Sequence, residues 1–295
     1  MHIPVLLHEV LQFLSIKKGE TVLDATAGGG GHTRALSDAV GAKGKVIAID
    51  ADSSALARVR DGLRGAACRA EFIHGNFRDL GEMLQGRGIS AIDKALFDLG
   101  LSSDQLEYSG RGFSFERDEP LLMTFADRTP EGTLTAYEIV NSWGEGELVD
   151  ILHVYGEERR ARGIVRAIVA ARKIRPIGTT RELVRVIEGV APPREMGRIH
   201  PATKTFQALR IAVNDEIGAL EEGLDAAFKA LRAGGRMAVI SFHSIEDRTV
   251  KHYFADLARS GRVNLLTKKP ITPTETEVST NRRSRSAKMR AIEKA

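Results

Sequence analysis

Four consecutive glycines, Gly28 to Gly31, follow a run of β-formers and precede a helix start. This stretch, Thr21 to Leu36 (TVLDATAGGGGHTRAL), constrains the chain most. Thr21, Val22 and Leu23 predict a short buried strand closed by Asp24. The glycines exclude helix at that point and permit a tight backbone turn. His32, Thr33 and Arg34 then lead into a helix. Strand, glycine turn and helix is how an α/β sheet brings its backbone close to a nucleotide-like ligand.

The ligand can be narrowed by what the turn lacks. A phosphate-binding P-loop needs Lys and then Ser or Thr after its last glycine, and here His32-Thr33 follow. The dinucleotide pattern G-x-G-x-x-G would need glycine at Thr33 or at Arg34, so it fails too. An acid at the strand end followed by small residues at alternate positions does fit: Asp24, Thr26, Gly28, Gly30. This resembles the first motif of S-adenosylmethionine-dependent methyltransferases, with Thr26 where the first glycine usually stands.

Further strands end in the same way. Lys45 to Asp50 closes on an acid, where a doubly wound sheet accepts hydrogen bonds from ribose hydroxyls, with Asp52 as the rival. A helix from Ser53 to Leu63 is expected, capped by Ser53 or Ser54. Glu71 to His74 is a third strand, and Phe77 beyond it fits either an adenine cover or core packing. Ile92 to Asp98 is a fourth strand, followed by Leu99-Gly100-Leu101-Ser102-Ser103.

The pattern then changes. Asp104 to Pro130 is polar and rich in turns. Helices are predicted at Ala136 to Trp143, Glu145 to Tyr155, Glu157 to Ile174 and Thr180 to Glu188, the last capped by Thr180. Pro192-Pro193 and Pro201 bound a loop. One long helix is expected from Phe206 to Leu231, bent near Asn214 and closing at Ala233-Gly234-Gly235. Arg236 to Phe242 is a fifth strand, with closing strands at Val263 to Thr267 and Ala287 to Ile292. The expected organisation is an α/β domain of residues 1–104 and 206–295, interrupted by an inserted all-helical domain at 105–205 that recognises substrate.

Composition excludes other classes. The single cysteine, Cys68, rules out a disulfide framework and a cysteine-cluster metal site, and points to a cytoplasmic location. The segment MHIPVLLHEVL lacks a basic start and a long apolar run, so no signal peptide is expected. No stretch reaches membrane-spanning length. The histidines show no ligand spacing, so no metal site is expected. There is no G-x-S-x-G turn for a serine hydrolase. A net charge of +4 is compatible with nucleic acid but does not require it. Its placement says more: Arg282, Arg283, Arg285, Lys288 and Arg290 form an acid-free run suited to phosphates. Arg159, Arg162, Arg166 and Lys173 form a second stripe on a predicted helix. Phe113 and Phe115 in RGFSF fit stacking on a flipped base, or docking on a core.

Taken together, the runs VLLHEVL, DATAGGGGHT, AIDAD, HGNF, DLGLSS with Gln105, RGFSF, YGEERRA, HPATKTFQALRI, LRAGGR, ISFHSIEDR and NRRSRSAKMR resemble the bacterial 16S ribosomal RNA cytosine-N4 methyltransferase family from end to end. The resemblance implies a Rossmann-like class I methyltransferase domain with the inserted helical domain, and S-adenosyl-L-methionine as cofactor. Its substrate would be a decoding-centre cytidine of 16S ribosomal RNA or the small ribosomal subunit, with no DNA and no membrane; a homodimer stays open. Carried over by motif, the cofactor contacts fall on Gly30, Gly31, His32, Asp50, Phe77, Asp98 and Gln105. Asp98 is the candidate catalytic residue, as acceptor for the amino N–H of cytosine; a backbone carbonyl of Leu99 to Leu101 is its rival, and pure cofactor binding is the other role for Asp98. Ser102, Ser103 and His243 are candidates for orienting the base, although for His243 a structural hydrogen bond is the expected role. The family usually continues beyond RGFSF with an acid, a methionine and an arginine, whereas this chain has Leu122-Met123-Thr124. The rival functions are an RNA-binding assembly factor with a degenerate cofactor site, a DNA amino-methyltransferase, and a nicotinamide oxidoreductase. Intact Asp24, Gly30, Asp50 and Asp98 oppose the first. The absent Pro-Pro-aromatic motif opposes the second and the failed glycine pattern the third.

Overall fold

In a computed structural model of the protein, the residues described are 4–101, 106, 109–126, 132–190 and 200–295. The chain divides into two compact units, residues 1–102 with 217–295, and residues 103–216.

The first unit begins with α1 (Leu7–Leu14), β1 (Thr21–Asp24), α2 (Gly31–Val40), β2 (Lys45–Asp50), α3 (Ser53–Gly62) and β3 (Arg69–His74). A 3-10 turn (Phe77–Asp79), α4 (Leu80–Gln85) and β4 (Ile92–Asp98) follow. The seven strands lie in the order β3-β2-β1-β4-β5-β7-β6, where β5 is Leu231–Ser241, β6 Val263–Leu265 and β7 Lys288–Lys294. β1 to β5 run parallel, and β7 is antiparallel to both of its neighbours. This is an α/β Rossmann-like sheet, as expected.

The strands are buried on both sides, which is why they read as nearly continuous apolar runs. Their alternation still sorts side chains by face. Leu23, Ile47, Ile49, Ala95, Phe97 and Val239 pack on one side with Leu80 of α4, and with Leu224 of α10 (Glu216–Ala230) and Phe254 of α11 (Ser244–Arg259). Val22, Val46, Leu96 and Ile240 pack on the other with Val10 and Leu14 of α1 and Leu36 and Val40 of α2. Each of these side chains other than Ala95, fully withdrawn from water, contributes roughly 1.5–3 kcal/mol. Among the described residues no helix is long and apolar enough to cross a membrane.

The second unit holds α5 (Ala136–Ser142), α6 (Glu145–Val154), α7 (Ala161–Ile174), α8 (Thr180–Glu188) and α9 (Ala202–Asn214). Several local expectations are corrected. The helix expected from Glu157 starts at Ala161, because Glu157 is left-handed (φ 47°) and the buried Glu158 carboxylate accepts the Arg160 N–H at 2.8 Å. Thr179, not Thr180, caps α8, in a reciprocal box with Glu182. The Thr180 hydroxyl instead donates to Arg117 O at 2.6 Å.

The long helix expected from Phe206 to Leu231 is two helices, broken at Asp215 in the left-handed region (φ 44°). The break has a side-chain cause. Asn214 donates to Met123 O at 2.7 Å and accepts from Phe125 N at 2.8 Å, so its side chain holds another segment. α9 packs with α6. The second helix ends at Ala230 rather than at the glycine pair. β5 starts at Leu231, and its register with β4 slips between Ile92 and Lys94.

Gly112 shows how tightly the second unit is built. Its φ is +75°, and a Cβ there would lie 2.3 Å from Pro120 O. Gly112→Ala is expected to cost at least about 2 kcal/mol, from the left-handed backbone and the clash together. Native-state hydrogen exchange should show the loss in residues 109–188, with the sheet's protection kept. Unchanged protection of α5 to α8 would contradict it.

Candidate active site

The carboxyl ends of β1, β2 and β4 converge on the glycine turn. Asp24, wholly buried, closes β1 and accepts the Thr33 hydroxyl at 2.7 Å and the Thr26 N–H at 3.3 Å. Burial, with a smaller push from Asp50, raises its carboxyl to about 6 against the pull of those two donors. Gly30 is the N-cap of α2 with φ 79°, a conformation that a side chain would strain. A Cβ on Gly30 would also meet Val59 Cγ2 at 3.2 Å. Gly31 is the first residue of α2, and His32, 5% exposed, lies in its first turn.

Asp50 and Asp52 separate cleanly. The Asp50 carboxylate accepts Gly28 N–H at 2.7 Å on one oxygen and Asp52 N–H at 2.9 Å on the other. Each oxygen keeps a second acceptor site, which suits a pair of neighbouring hydroxyls. Burial raises its carboxyl above the ordinary range, with the two N–H donors opposing. Asp52 is instead the N-cap of α3, accepting from Ser54 N and Ala55 N; the cap expected at Ser53 or Ser54 is thus corrected. Its oxygen nearest the helix is already used, a structural role.

Asp98 stands at the end of β4. Its Oδ2 lies 3.5 Å from His32 Nε2, and its Oδ1 is buried with no hydrogen-bond partner among the described residues. Burial, with Asp24 and Glu246 as neighbouring acids, pushes its carboxyl up to about 8. Among the described residues no lysine or arginine is paired with Asp24 or Asp98, whereas Arg58 acts on Asp50. A cationic ligand would complete the cluster.

Phe77 opens the 3-10 turn after β3 and stays half-buried. Its ring meets Phe97 edge-on at 5.7 Å, so core packing fixes at least that side. Gln105, Ser102 and Ser103 lie outside the described residues. His243 is the N-cap of α11: its Nδ1 accepts Glu246 N–H at 3.3 Å, while Glu246 Oε2 accepts Phe242 N–H at 2.8 Å. That is a structural hydrogen bond at a strand end. Sequence reasoning read Thr26 only as a small residue of the motif and gave no role to Thr33 or Glu246. The spacing His243-x-x-Glu246 was the available signal for the cap, but nothing local marked Thr26 and Thr33 as partners of the acids.

The basic run is divided. Arg282, Arg283 and Arg285 are exposed, in a 3-10 turn (Arg282–Ser286). Arg290 and Lys288 instead pair with Asp247 of α11, at 2.7 and 3.3 Å. Arg162, Arg166 and Lys173 are exposed along α7. Phe113 stacks on Phe125 at 5.9 Å, and Phe115 stacks on His200 at 4.6 Å, so both dock within the second unit.

Asp98 makes the stability of the ligand-free protein depend on pH. An unfolded chain gives up this proton near 3.8, whereas the folded protein keeps it to about 8. Stability attributable to Asp98 therefore falls as pH rises from about 4 to 8. Asp98→Asn should melt higher than wild type near pH 8, with the difference shrinking toward pH 4. Parallel melting curves across that range would exclude a raised Asp98.

The MraW methylase family matches residues 1–295. The ribosomal RNA small subunit methyltransferase H of Heliobacterium modesticaldum is 45% identical over 311 aligned positions, covering 99% of this chain and 98% of that protein. The protein of the same name from Thermomicrobium roseum is 47% identical over 308 positions, covering 99% and 93%. Among solved structures, an rRNA methylase from Streptococcus thermophilus overlaps with a TM-score of 0.46 at 14% identity, covering 100% of this chain and 99% of that one. With the match spanning the whole chain, and with glycine turn, strand-end acids and sheet order all in place, this chain belongs to the MraW methylase family.

Proposed function

We propose that the protein is an S-adenosylmethionine-dependent methyltransferase of 16S ribosomal RNA in the small subunit, acting on the exocyclic N4 of a decoding-centre cytidine in the cytoplasm. The observation that carries the cofactor assignment is the buried, unpartnered Asp98 oxygen beside Asp24 and the glycine turn. An acidic pocket of this kind suits a cationic nucleoside and repels a phosphate. The relatives, similar over their full length, support the RNA substrate.

When bound, S-adenosylmethionine supplies an electrophilic methyl group on a positively charged sulfur. In this reading Gly30, Gly31 and His32 shape the backbone cradle, Asp50 accepts the ribose hydroxyls, and Phe77 covers the adenine with its half-buried ring. Gln105 completes the site, and residues 105–205 recognise the RNA. The cytosine amine is conjugated with its ring and is a poor nucleophile. An acceptor for its N–H frees lone-pair density as the new bond forms, and near-attack placement supplies much of the rest. Asp98, or a carbonyl of Leu99 to Leu101, is that acceptor. The ionised form of Asp98 is the one that accepts, and a neighbouring positive charge favours it.

The test is methyl transfer from labelled S-adenosylmethionine to small subunits from a strain lacking the enzyme, followed by nucleoside analysis. N4-methylcytidine is expected from wild type and should be lost with Asp98→Ala. Cofactor binding without transfer to subunits or naked RNA would overturn the substrate; neither binding nor transfer would favour an assembly factor. The exposed arginines give a second measurement. Replacing Arg282, Arg283 and Arg285 together by Ala should lower the slope of log affinity against log salt by about 2. An unchanged slope would place the RNA contacts elsewhere.

A further inference from the structure

The turn after β1 creates a hydrogen-bond vacancy on the neighbouring strand. Ala25 N–H donates to Leu96 O of β4 at 2.9 Å, whereas Ala27 N–H donates to Ile49 O of β2 at 2.8 Å. Between these two residues the main chain crosses from one neighbour to the other. β1 pairs with β4 only as far as Asp24 with Leu96. Asp98 lies two residues beyond Leu96, on the same edge of β4, because successive residues of a strand alternate the edge to which their N–H and C=O point. The opposite edge is occupied, since Leu99 N–H donates to Ile240 O at 2.9 Å. The ladder would have offered the Asp98 N–H a main-chain carbonyl, but the chain has turned away. The acceptor is the Thr26 hydroxyl, at 2.7 Å. The same residue donates its own N–H to Asp24 Oδ1 at 3.3 Å.

We propose that Thr26 is a positioning residue of the cofactor site: its hydroxyl serves as a side-chain rung that fixes Asp98 against the glycine turn, while its N–H holds Asp24. The proposal rests on the reading of Asp98 as a cofactor contact. It also assigns a purpose to the departure at this position. Glycine, which usually opens the motif here, has no side-chain acceptor and would leave the Asp98 N–H without this bond. Thr26 acts only through Asp98 and Asp24, so its effect should follow the hydroxyl and not the size of the side chain.

The experiment compares Thr26→Val, Thr26→Ala and Thr26→Ser with wild type in two measurements. The first is amide hydrogen exchange of Asp98, with the carboxyl titration of Asp98 followed by carbon NMR, in the ligand-free protein. The second is the Kd for S-adenosylmethionine by calorimetry. Val and Ala should speed exchange of the Asp98 amide and weaken the cofactor, each by about ten- to a hundredfold. They should also move the Asp98 titration. Ser should stay within about threefold of wild type in both measurements, since it keeps the acceptor. Melting curves identify a variant that has lost the fold, and the smaller Ala change stands in if Val does so. Wild-type exchange and Kd in both Val and Ala would overturn the proposal. A Ser variant as impaired as Val would also overturn it, since keeping the hydroxyl would then restore nothing. If wild type itself fails to bind the cofactor, the functional half falls, while amide exchange still decides whether Thr26 holds Asp98.

Discussion

A central strand of a parallel sheet has two neighbours, and when it ends it must part from both. β1 lies between β2 and β4, and its parting at Asp24 opens the place where the site is assembled. The chain order has β2 and β3 to one side and β4 and β5 to the other, so this is the switch point of the sheet, the usual crevice for a ligand. Asp50 ends one neighbour and Asp98 the other, while the glycine turn fills the space between. The turn is held by its own neighbours: Gly28 N–H by Asp50, and Ala25 and Ala27 N–H by carbonyls of Leu96 and Ile49. Asp50 and Asp24 thus organise the turn itself, through the N–H groups of Gly28 and Thr26.

The charge arrangement sets fold against function. Asp24 is wholly buried, Asp98 stands half-buried near it, and the buried Glu246 adds a third acid. A fold optimised for stability alone would not keep them, because buried like charges are unfavourable. Desolvation above all, with the repulsion of Asp24 and Glu246 added, holds the Asp98 carboxyl up to about 8, and proton uptake relieves both. A cation can take the place of that proton. Active-site residues commonly carry such a stability cost, compensated by packing elsewhere. Here the compensation is the pair of apolar layers on either face of the sheet.

The second unit accounts for the Leu122-Met123-Thr124 departure in its own terms. Met123 is buried with φ 57°, Thr124 is buried, and Arg111 donates to Thr124 O and Phe125 O at 3.1 and 2.6 Å. Asn214 binds the same segment from α9. The backbone is held by side chains from elsewhere in the unit, and neither Met123 nor Thr124 offers a charge to solvent. The segment is a structural joint of the helical unit.

The sheet and its main site were legible in the sequence because their signals are local. Apolar runs ending in Asp24, Asp50 and Asp98 marked strands and their carboxyl ends, and Gly28 to Gly31 marked the turn. The order of those elements determined an α/β fold interrupted by helices. Other features depend on partners far away in the chain, which periodicity does not report. Asn214 breaks a helix because of Met123 and Phe125; Arg290 leaves the basic run because Asp247 captures it. Strand pattern alone left Asp52 as a rival to Asp50; the family motif favoured Asp50, and the structure adds that Asp52 caps α3. Thr26 and Asp98 are a further distant pair, 72 positions apart. The sequence by itself determined which residues bring chemistry to the sheet edge. Only the tertiary structure decided which of them hold one another there, because a hydrogen bond is specified by distance and direction in space, not by spacing along the chain.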